Sequence, residues 1–552
     1  MSEAKFSPKD PVDFLIIGAG AAGGVVAKEL ATAGFRVVVL EQGPYLRERD
    51  YSHDEIKYAF RPGLTNDPKI QPITYRKAEA EEARPIKALE YGRQVGGGTV
   101  HFTANYWRFH ESDFHERSLF GEVSGADLQD WPISYADLEP YYTQAEYDLG
   151  ISGLAGANPF EAPRSKPYPL PPMPVKSSGI LFERGATKLG LHPFPAPVAI
   201  LSQPYRGRAA CVNCGFCESF GCEMRAKSST LVSVIPIAEK TGRCEIRSDC
   251  YVRKIEMDSQ GRATGAIYFD RQRREIFQRA KAVFVCANGA ETPKLLLLSK
   301  SQRFPNGLAN SSGLVGKYLM WDNGGEAQGL FEHPLNEYKG IQATRLIHDY
   351  YAADARRGFY GGGGIDARFD FYPASFALHG LPPDAPKWGS AYKQTFEAYF
   401  SRTMAVLAHT TSLPVAKNTI TLDPEMKDAW GLPAVRVTYD WHPDDTATMK
   451  WMMERQIEIL EAAGATKTWS QPWGILDMMP SRHLMGTCRM GNNPSASVVN
   501  AFSRTHDVPN LFLVDGSNFV TSARQQPTAT IQALAYRAAD HAIRVVKRGD
   551  LR

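Results

Sequence analysis

Two stretches of this 552-residue chain combine residue types and spacing that have chemical meaning. The first is Gly18-Ala19-Gly20-Ala21-Ala22-Gly23, which fits G-x-G-x-x-G. In that pattern Gly18 allows a tight turn, Gly20 lets the backbone approach a pyrophosphate, and Gly23 lets a helix pack close to a strand. The first turn of the helix then presents free N–H groups to phosphate. Glu41 closes the next apolar run, where a carboxylate accepts ribose hydroxyls. That acid argues against a 2′-phosphate and hence NADP; it leaves NAD and FAD both open.

The second stretch is CVNCGFCESFGC, residues 211–222, which holds four of the chain's eight cysteines. Cys211, Cys214 and Cys217 follow the C-x2-C-x2-C rhythm of ferredoxin-type ligation, with Cys222 displaced by one residue and no proline after it. An iron–sulfur cluster of three or four irons is the expected occupant. A closed tetrahedral zinc site is the main rival. Disulfides are the weakest reading, because MSEAKFSPKDPVDFLIIGAG has no basic stretch, apolar core and cleavage site of a secretion signal. Cys244, Cys250 and Cys286 lie on expected strands and read as packed thiols, as does Cys488.

The elements that must position these groups follow from the hydrophobic pattern. DFLII, the glycine turn, a helix and RVVVLEQG form one βαβ unit at the start of the chain. AVFVCANGA (282–290) is a continuous apolar run, as a buried parallel strand would be. CEIRSDCYVRKIEMD and ATGAIYFD alternate apolar and polar residues, which predicts antiparallel strands. The stretch 157–206, containing PRSKPYPLPPMPV, reads as a surface excursion without regular structure. From about 320 to 475 alternating strands (ARFDFY, TITLD, AVRVTYDW) surround one helix near 445–463, and the chain ends in a strand and a long amphipathic helix. Gly361 to Gly364 lead into a strand pattern, so they read as a hinge or bulge rather than a phosphate loop.

Composition bounds the function. Apolar residues make up 43% and charged residues 22%, with a net charge of +3, which gives no argument for nucleic acid or an anionic membrane. No run reaches the roughly 18–20 apolar residues of a membrane-spanning helix.

Four further stretches resemble glucose–methanol–choline (GMC) oxidoreductases, a family of FAD-dependent enzymes that oxidise alcohols and sugars. GRQVGGGTVHFTANYWRF (92–109) and FVCANGAETPKLLLLS (284–299) resemble its two signatures. HLMGTCRMG (483–491) resembles the segment with the active-site histidine, and VDGSNFVTSARQQPTATIQALAYRAADHAI (514–543) the closing segment over the flavin. CGFCESFGCEMRAKSS (214–229) is similar to a stretch in the large subunits of bacterial gluconate, glucose, fructose and glycoside dehydrogenases. In such relatives a flavin subunit works with a small twin-arginine-exported subunit and a cytochrome c.

The resemblance implies an α/β fold with a discontinuous Rossmann-type FAD domain (1–315 and 476–552) and a substrate domain on an antiparallel sheet (316–475). It implies that His483 takes the alcohol proton while hydride leaves for the flavin N5. Gln526 stands where the family usually has Asn or His, one methylene longer than Asn, with an amide that donates to the alcohol oxygen. Gly97, Gly98, His101 and Asn105 are expected along the flavin, with His101 at a position where some relatives attach it covalently. Asp515 and Gly516 are expected at the ribityl–pyrophosphate part, Val252 at adenine, and Pro527 and Thr528 at the ring's carbonyl edge. The four clustered cysteines are expected to split the flavin's electron pair toward a cytochrome-type acceptor, in the periplasm, reached through the exported partner, with the cytoplasm as the alternative. Trp388, Tyr392, Tyr399 and Trp441 are candidates to stack on a sugar, with core packing the favoured role for most of them. Other readings are an oxidase using O2, an NAD enzyme with a structural zinc, and a non-catalytic electron-transfer subunit.

Overall fold

The apolar runs at the two ends of the chain meet in one seven-stranded sheet. The structure, a computed structural model, describes residues 5–321, 324–369, 371–472 and 481–550. Val12–Ile17 pairs in parallel with Val37–Leu40 on one side and with Glu275–Val285 on the other; Leu511–Leu513 adds in parallel beyond. Val37–Leu40 is buried throughout, which explains its unbroken apolar sequence. Ala21–Thr32 packs on this sheet, and the C-terminal helix Thr528–Arg548 packs on Ala21–Thr32.

Cys244–Arg247 departs from expectation. It pairs in parallel with Val37–Leu40 at the sheet's edge, whereas Tyr251–Met257, Ala263–Phe269 and the first half of Glu275–Val285 form the expected antiparallel meander. Alternation alone reports a half-buried strand, not its partner's direction.

A second, six-stranded antiparallel sheet has the order Lys467–Pro472, Gly325–Leu330, Thr403–Thr410, Gly363–Arg368, Arg345–Ile347, Phe194–Pro195. Its two faces differ. Ala327, Ile365, Ala367, Met404, Val406 and Ala408 pack with Phe182, Ala186, Met452, Ile459 and Leu460 of the helices Ser177–Lys188 and Pro443–Ala463. Burial of each larger side chain among these (Ile, Val, Leu, Met, Phe) stabilises the fold by about 1.5–3 kcal/mol. The residues between them point the other way.

The helix Ser177–Lys188 lies inside the stretch expected to lack regular structure. The Pro-rich part 163–175 holds no helix or strand, but the proline signal ends at Pro174 and an amphipathic segment follows it. A third sheet joins Thr419–Lys427, Pro433–Thr438, Ile73–Arg76 and Arg84–Pro85. Residues 73–85 and 194–195 thus supply strands to sheets otherwise built from 316–472. The boundary expected at 475/476 falls outside the described residues.

Candidate active site

A cavity of about 620 Å³ runs from the glycine turn to the polar face of the six-stranded sheet, within the range of small-molecule and cofactor pockets. At one end Gly18, Gly20, Glu41, Val252, Asp515 and Gly516 line it. Gly18 has φ +98°, and a Cβ there would lie 2.4 Å from the Cys286 carbonyl oxygen. A Cβ on Gly23 would lie 1.9 Å from the Gly18 oxygen; this residue serves the helix–strand contact and does not line the cavity. Glu41 accepts backbone N–H groups of Ala19 and Gly43, both at 2.9 Å. Burial pushes its carboxyl up to about 7 against those two hydrogen bonds. Asp515 accepts from Ser517 N at 2.8 Å and Thr292 Oγ1 at 2.6 Å, and burial raises its pKa.

The middle of the cavity is a glycine crossing. A Cβ on Gly97 would lie 2.7 Å from Cα of Gly20, so the two glycine segments touch backbone to backbone. Gly97, Gly98 and His101 line the cavity; Asn105 is buried outside that lining, with neither amide atom hydrogen-bonded. Burial pushes the His101 imidazole down to about 4, leaving it neutral, and its Nε2 has no partner.

At the far end His483, Gln526, Pro527 and Thr528 meet the sheet. His483 and His409 lie with ring centroids 6.3 Å apart. His409, from Thr403–Thr410, has Nε2 at 2.5 Å from the Gln526 amide nitrogen, 3.1 Å from Nη2 of Arg368 and 3.3 Å from Oδ2 of Asp366. Arg368 also donates to both Asp366 oxygens at 2.9 Å. Burial works against the Asp366 carboxylate, but Arg368 and His409 outweigh it and hold the pKa below its ordinary value. Beside His483, Arg482 donates to Glu90 at 3.0 Å and pairs with Glu218. Burial opposes the Glu90 charge, yet Arg482 and Lys87 bring its pKa down to about 2.

Sequence reading missed His409, Asp366, Arg368, Glu326 and Gln328. For the last four the signal was present: GEAQGL and IDAR place polar residues at every second position between apolar ones, whereas VLAHT shows no such alternation around His409. Trp388, Tyr392, Tyr399 and Trp441, offered as candidates to stack on a sugar with core packing the favoured role for most, do not line the cavity. Trp388 is 85% exposed, and Trp441 packs on Trp321 and Tyr439. Phe371 and Tyr372 line it instead.

Residues 12–320 match the N-terminal model of the GMC oxidoreductase family and residues 414–535 its C-terminal model. The chain belongs to that family. This GMC oxidoreductase is 36% identical to 2-methyl-1,2-propanediol dehydrogenase of Mycolicibacterium austroafricanum, over 96% of the chain and 95% of the relative. It is 29% identical to the gluconate 2-dehydrogenase flavoprotein of Pantoea cypripedii, over 95% and 92%. It is 30% identical to the fructose dehydrogenase large subunit of Gluconobacter japonicus, over 97% and 98%. Among solved structures, pyridoxine 4-oxidase from Mesorbium loti shares the fold with a TM-score of 0.65 at 18% identity, over 96% of this chain and 98% of that one.

A GMC oxidoreductase is an FAD-dependent flavoprotein, and the residues of this chain fit that cofactor. The backbone crossing at Gly20 and Gly97 leaves room that side chains would fill, and the unpartnered His101 Nε2 faces the same cavity wall.

The cysteine loop does not fit an iron–sulfur cluster or a zinc ion in the same way. All eight cysteines are free. Cys217 is buried, Cys214 is exposed, and Cys211 and Cys222 lie between. Among the described residues no three His, Cys, Asp or Glu side chains converge on a metal position. Lys227 is buried beside this loop and donates to the carbonyls of Phe102, Cys217 and Phe220. These three bonds tie the Cys217–Phe220 backbone to the segment that carries His101. Ser219 N completes the attachment by donating to the His101 carbonyl at 2.7 Å. Cys244, Cys250, Cys286 and Cys488 are buried, packed thiols.

Proposed function

We propose that this GMC oxidoreductase oxidises a hydroxyl of a sugar, glycoside or related polyol to a carbonyl. The observation that carries the reading is the meeting of His483 with the polar sheet face in the cavity that begins at the glycine turn. The bound FAD supplies a two-electron acceptor for hydride. This chain's residues do the rest. His483 takes the proton from the hydroxyl oxygen as hydride leaves the carbon that bears it, so the O–H and C–H bonds break, the C=O bond forms, and the substrate loses one hydride and one proton in all. Gln526 and the network behind it fix the substrate oxygen, and the walls at Phe371 and Tyr372 exclude water.

Relatives named for 2-methyl-1,2-propanediol, gluconate and fructose support a hydroxylated substrate. The relative named as a large subunit supports a complex, in which we place a small twin-arginine-exported subunit, a cytochrome c acceptor and a periplasmic site of action. Co-purification of the chain with co-expressed small subunit tests that assembly. An iron–sulfur relay is left out of this reading because the four thiols form no ligand set as folded. Iron and sulfide analysis of the purified protein tests that omission. The same finding removes the argument against an O2-using oxidase, which stands as the second reading.

The deciding experiment is a panel of alcohols with an artificial dye as acceptor, run beside oxygen uptake. Turnover with dye and none with O2 is expected. His483→Ala should slow flavin reduction by about 10²–10⁴-fold with flavin still bound; unchanged reduction removes His483 from the reaction.

A further inference from the structure

The polar face of the six-stranded sheet has an unequal account of donors and acceptors. Glu326 stands opposite Leu407, which stands opposite Asp366; Gln328 stands opposite Ala405, which stands opposite Arg368. These rows put Glu326, Gln328, Leu407, His409, Asp366 and Arg368 on one face, and all but Asp366 line the cavity.

The cations of this cavity are all committed. Among the described lining residues the lysines and arginines are Lys87, Lys294, Arg368 and Arg482. Lys87 pairs with Glu90 at 2.5 Å, Lys294 with Asp428 at 2.9 Å, Arg368 with Asp366 at 2.9 Å, and Arg482 with Glu90 and Glu218. The acceptors are not all committed. Glu326 receives the Gln328 amide on Oε1 at 2.7 Å, and no donor among the described residues reaches its Oε2. Oε1 of Gln328 and Oε1 of Gln526 are buried without a partner. Buried acceptors left unpaired are costly, so a fitting ligand brings donors.

Resting on the reading of the site as an alcohol-oxidising one, we propose that Glu326 and Gln328 form the recognition subsite for the part of the substrate that is not oxidised. The subsite takes an uncharged, donor-rich polyol and rejects a sugar acid. A hydroxyl donates to the free oxygen of Glu326, while Gln328 holds the other oxygen in place. Burial pushes the Glu326 carboxyl up to about 7, so above that pH a ligand carboxylate would meet Glu326 with like charge and would have to displace Asp366 from Arg368, the cation on this face.

The test uses a matched pair that differs at one carbon, D-glucitol and D-gluconate, added to the FAD-loaded full chain at about pH 9, where Glu326 is ionised. Binding is read by calorimetry and reaction by anaerobic bleaching of the flavin. D-Glucitol is expected to bind at least about tenfold more tightly than D-gluconate, the worth of one hydrogen bond to a charged acceptor. Glu326→Gln should bring that ratio close to one with flavin content unchanged, and Gln328→Leu should lower it by a smaller factor. Equal or tighter binding of D-gluconate, binding of neither compound, or an unchanged ratio in flavin-loaded Glu326→Gln overturns the proposal. Should Glu326→Gln fail to fold, the ratio in Gln328→Leu decides alone. Binding of D-glucitol without flavin reduction by any alcohol leaves this subsite standing and sinks the oxidation reading.

Discussion

The amide nitrogen of Gln526 lies 2.5 Å from Nε2 of His409, joining the C-terminal segment over the flavin site to the strand Thr403–Thr410. Two residues 117 positions apart therefore share one orientation, set by Asp366 and Arg368 behind them. His409→Phe keeps a ring and loses the nitrogen. It should slow flavin reduction by about 10–100-fold, the usual effect of a substrate-contacting group displaced by about 1 Å, with a smaller change in substrate affinity. His409→Gln, which keeps a hydrogen-bonding end, should largely restore the rate. Stopped-flow reduction separates the two constants. The reverse order, Phe active and Gln inactive, means that only the ring's bulk matters.

Gly18 and Gly20 should fail differently. Gly20 has open space at its Cβ apart from an ordinary 3.8 Å contact, so Gly20→Val should fold with a near-normal melting temperature yet purify without flavin. Gly18→Val meets the Cys286 carbonyl at 2.4 Å and a φ of +98°, and should lose about 1–3 kcal/mol or more of stability. Thermal melts beside the flavin-to-protein absorbance ratio distinguish the two.

Arg524 is fully buried and bonds Asp113 at 3.0 Å and Glu116 at 2.8 Å. Arg524→Leu leaves both carboxylates without a counter-charge in the interior, held only by the Tyr351 and Tyr360 hydroxyls and the His110 N–H, and should cost about 3–5 kcal/mol in denaturant unfolding at pH 8. Burial already pushes Asp113 up to about 7 despite Arg524. The loss should therefore shrink toward pH 5, where that carboxyl takes up a proton. A loss independent of pH would mean that packing, not charge, is what the arginine supplies.

Asp445 accepts from Leu413 N at 3.1 and 3.3 Å, and burial pushes its carboxyl up to about 8 from an ordinary 3.8. The folded state thus holds a proton that the unfolded state has released. Its contribution to stability is complete below about pH 4 and is lost as pH rises through about 8. Asp445→Asn carries no such term. The variant should match the natural protein near pH 4 and gain on it steadily up to about pH 8, as followed by chemical denaturation. A constant difference across that range rules out proton linkage at this residue.

The N-terminal nucleotide unit was legible because its information is local. Gly18, Gly20, Gly23 and Glu41 lie within 24 residues, and each constraint acts on a neighbouring turn or strand. The helix Ser177–Lys188 was hidden by the prolines before it, and the parallel pairing of Cys244–Arg247 by an alternation that carries no direction. His409 was illegible for another reason: its meaning depends on a tertiary contact with Gln526 that no spacing encodes. The cysteines show the opposite limit: their rhythm matches a ligand pattern, but spacing alone does not bring side chains together, and among the described residues no three His, Cys, Asp or Glu converge on a metal position.

The alternating faces of the six-stranded sheet have an evolutionary consequence. Odd and even positions of one strand answer to different selective pressures, since Ala327 holds the helices while Glu326 and Gln328 face the guest. Exchanging the latter pair leaves the scaffold's packing intact. A lineage can therefore drift from one alcohol to another through a handful of strand residues, without renegotiating the architecture that holds its nucleotide.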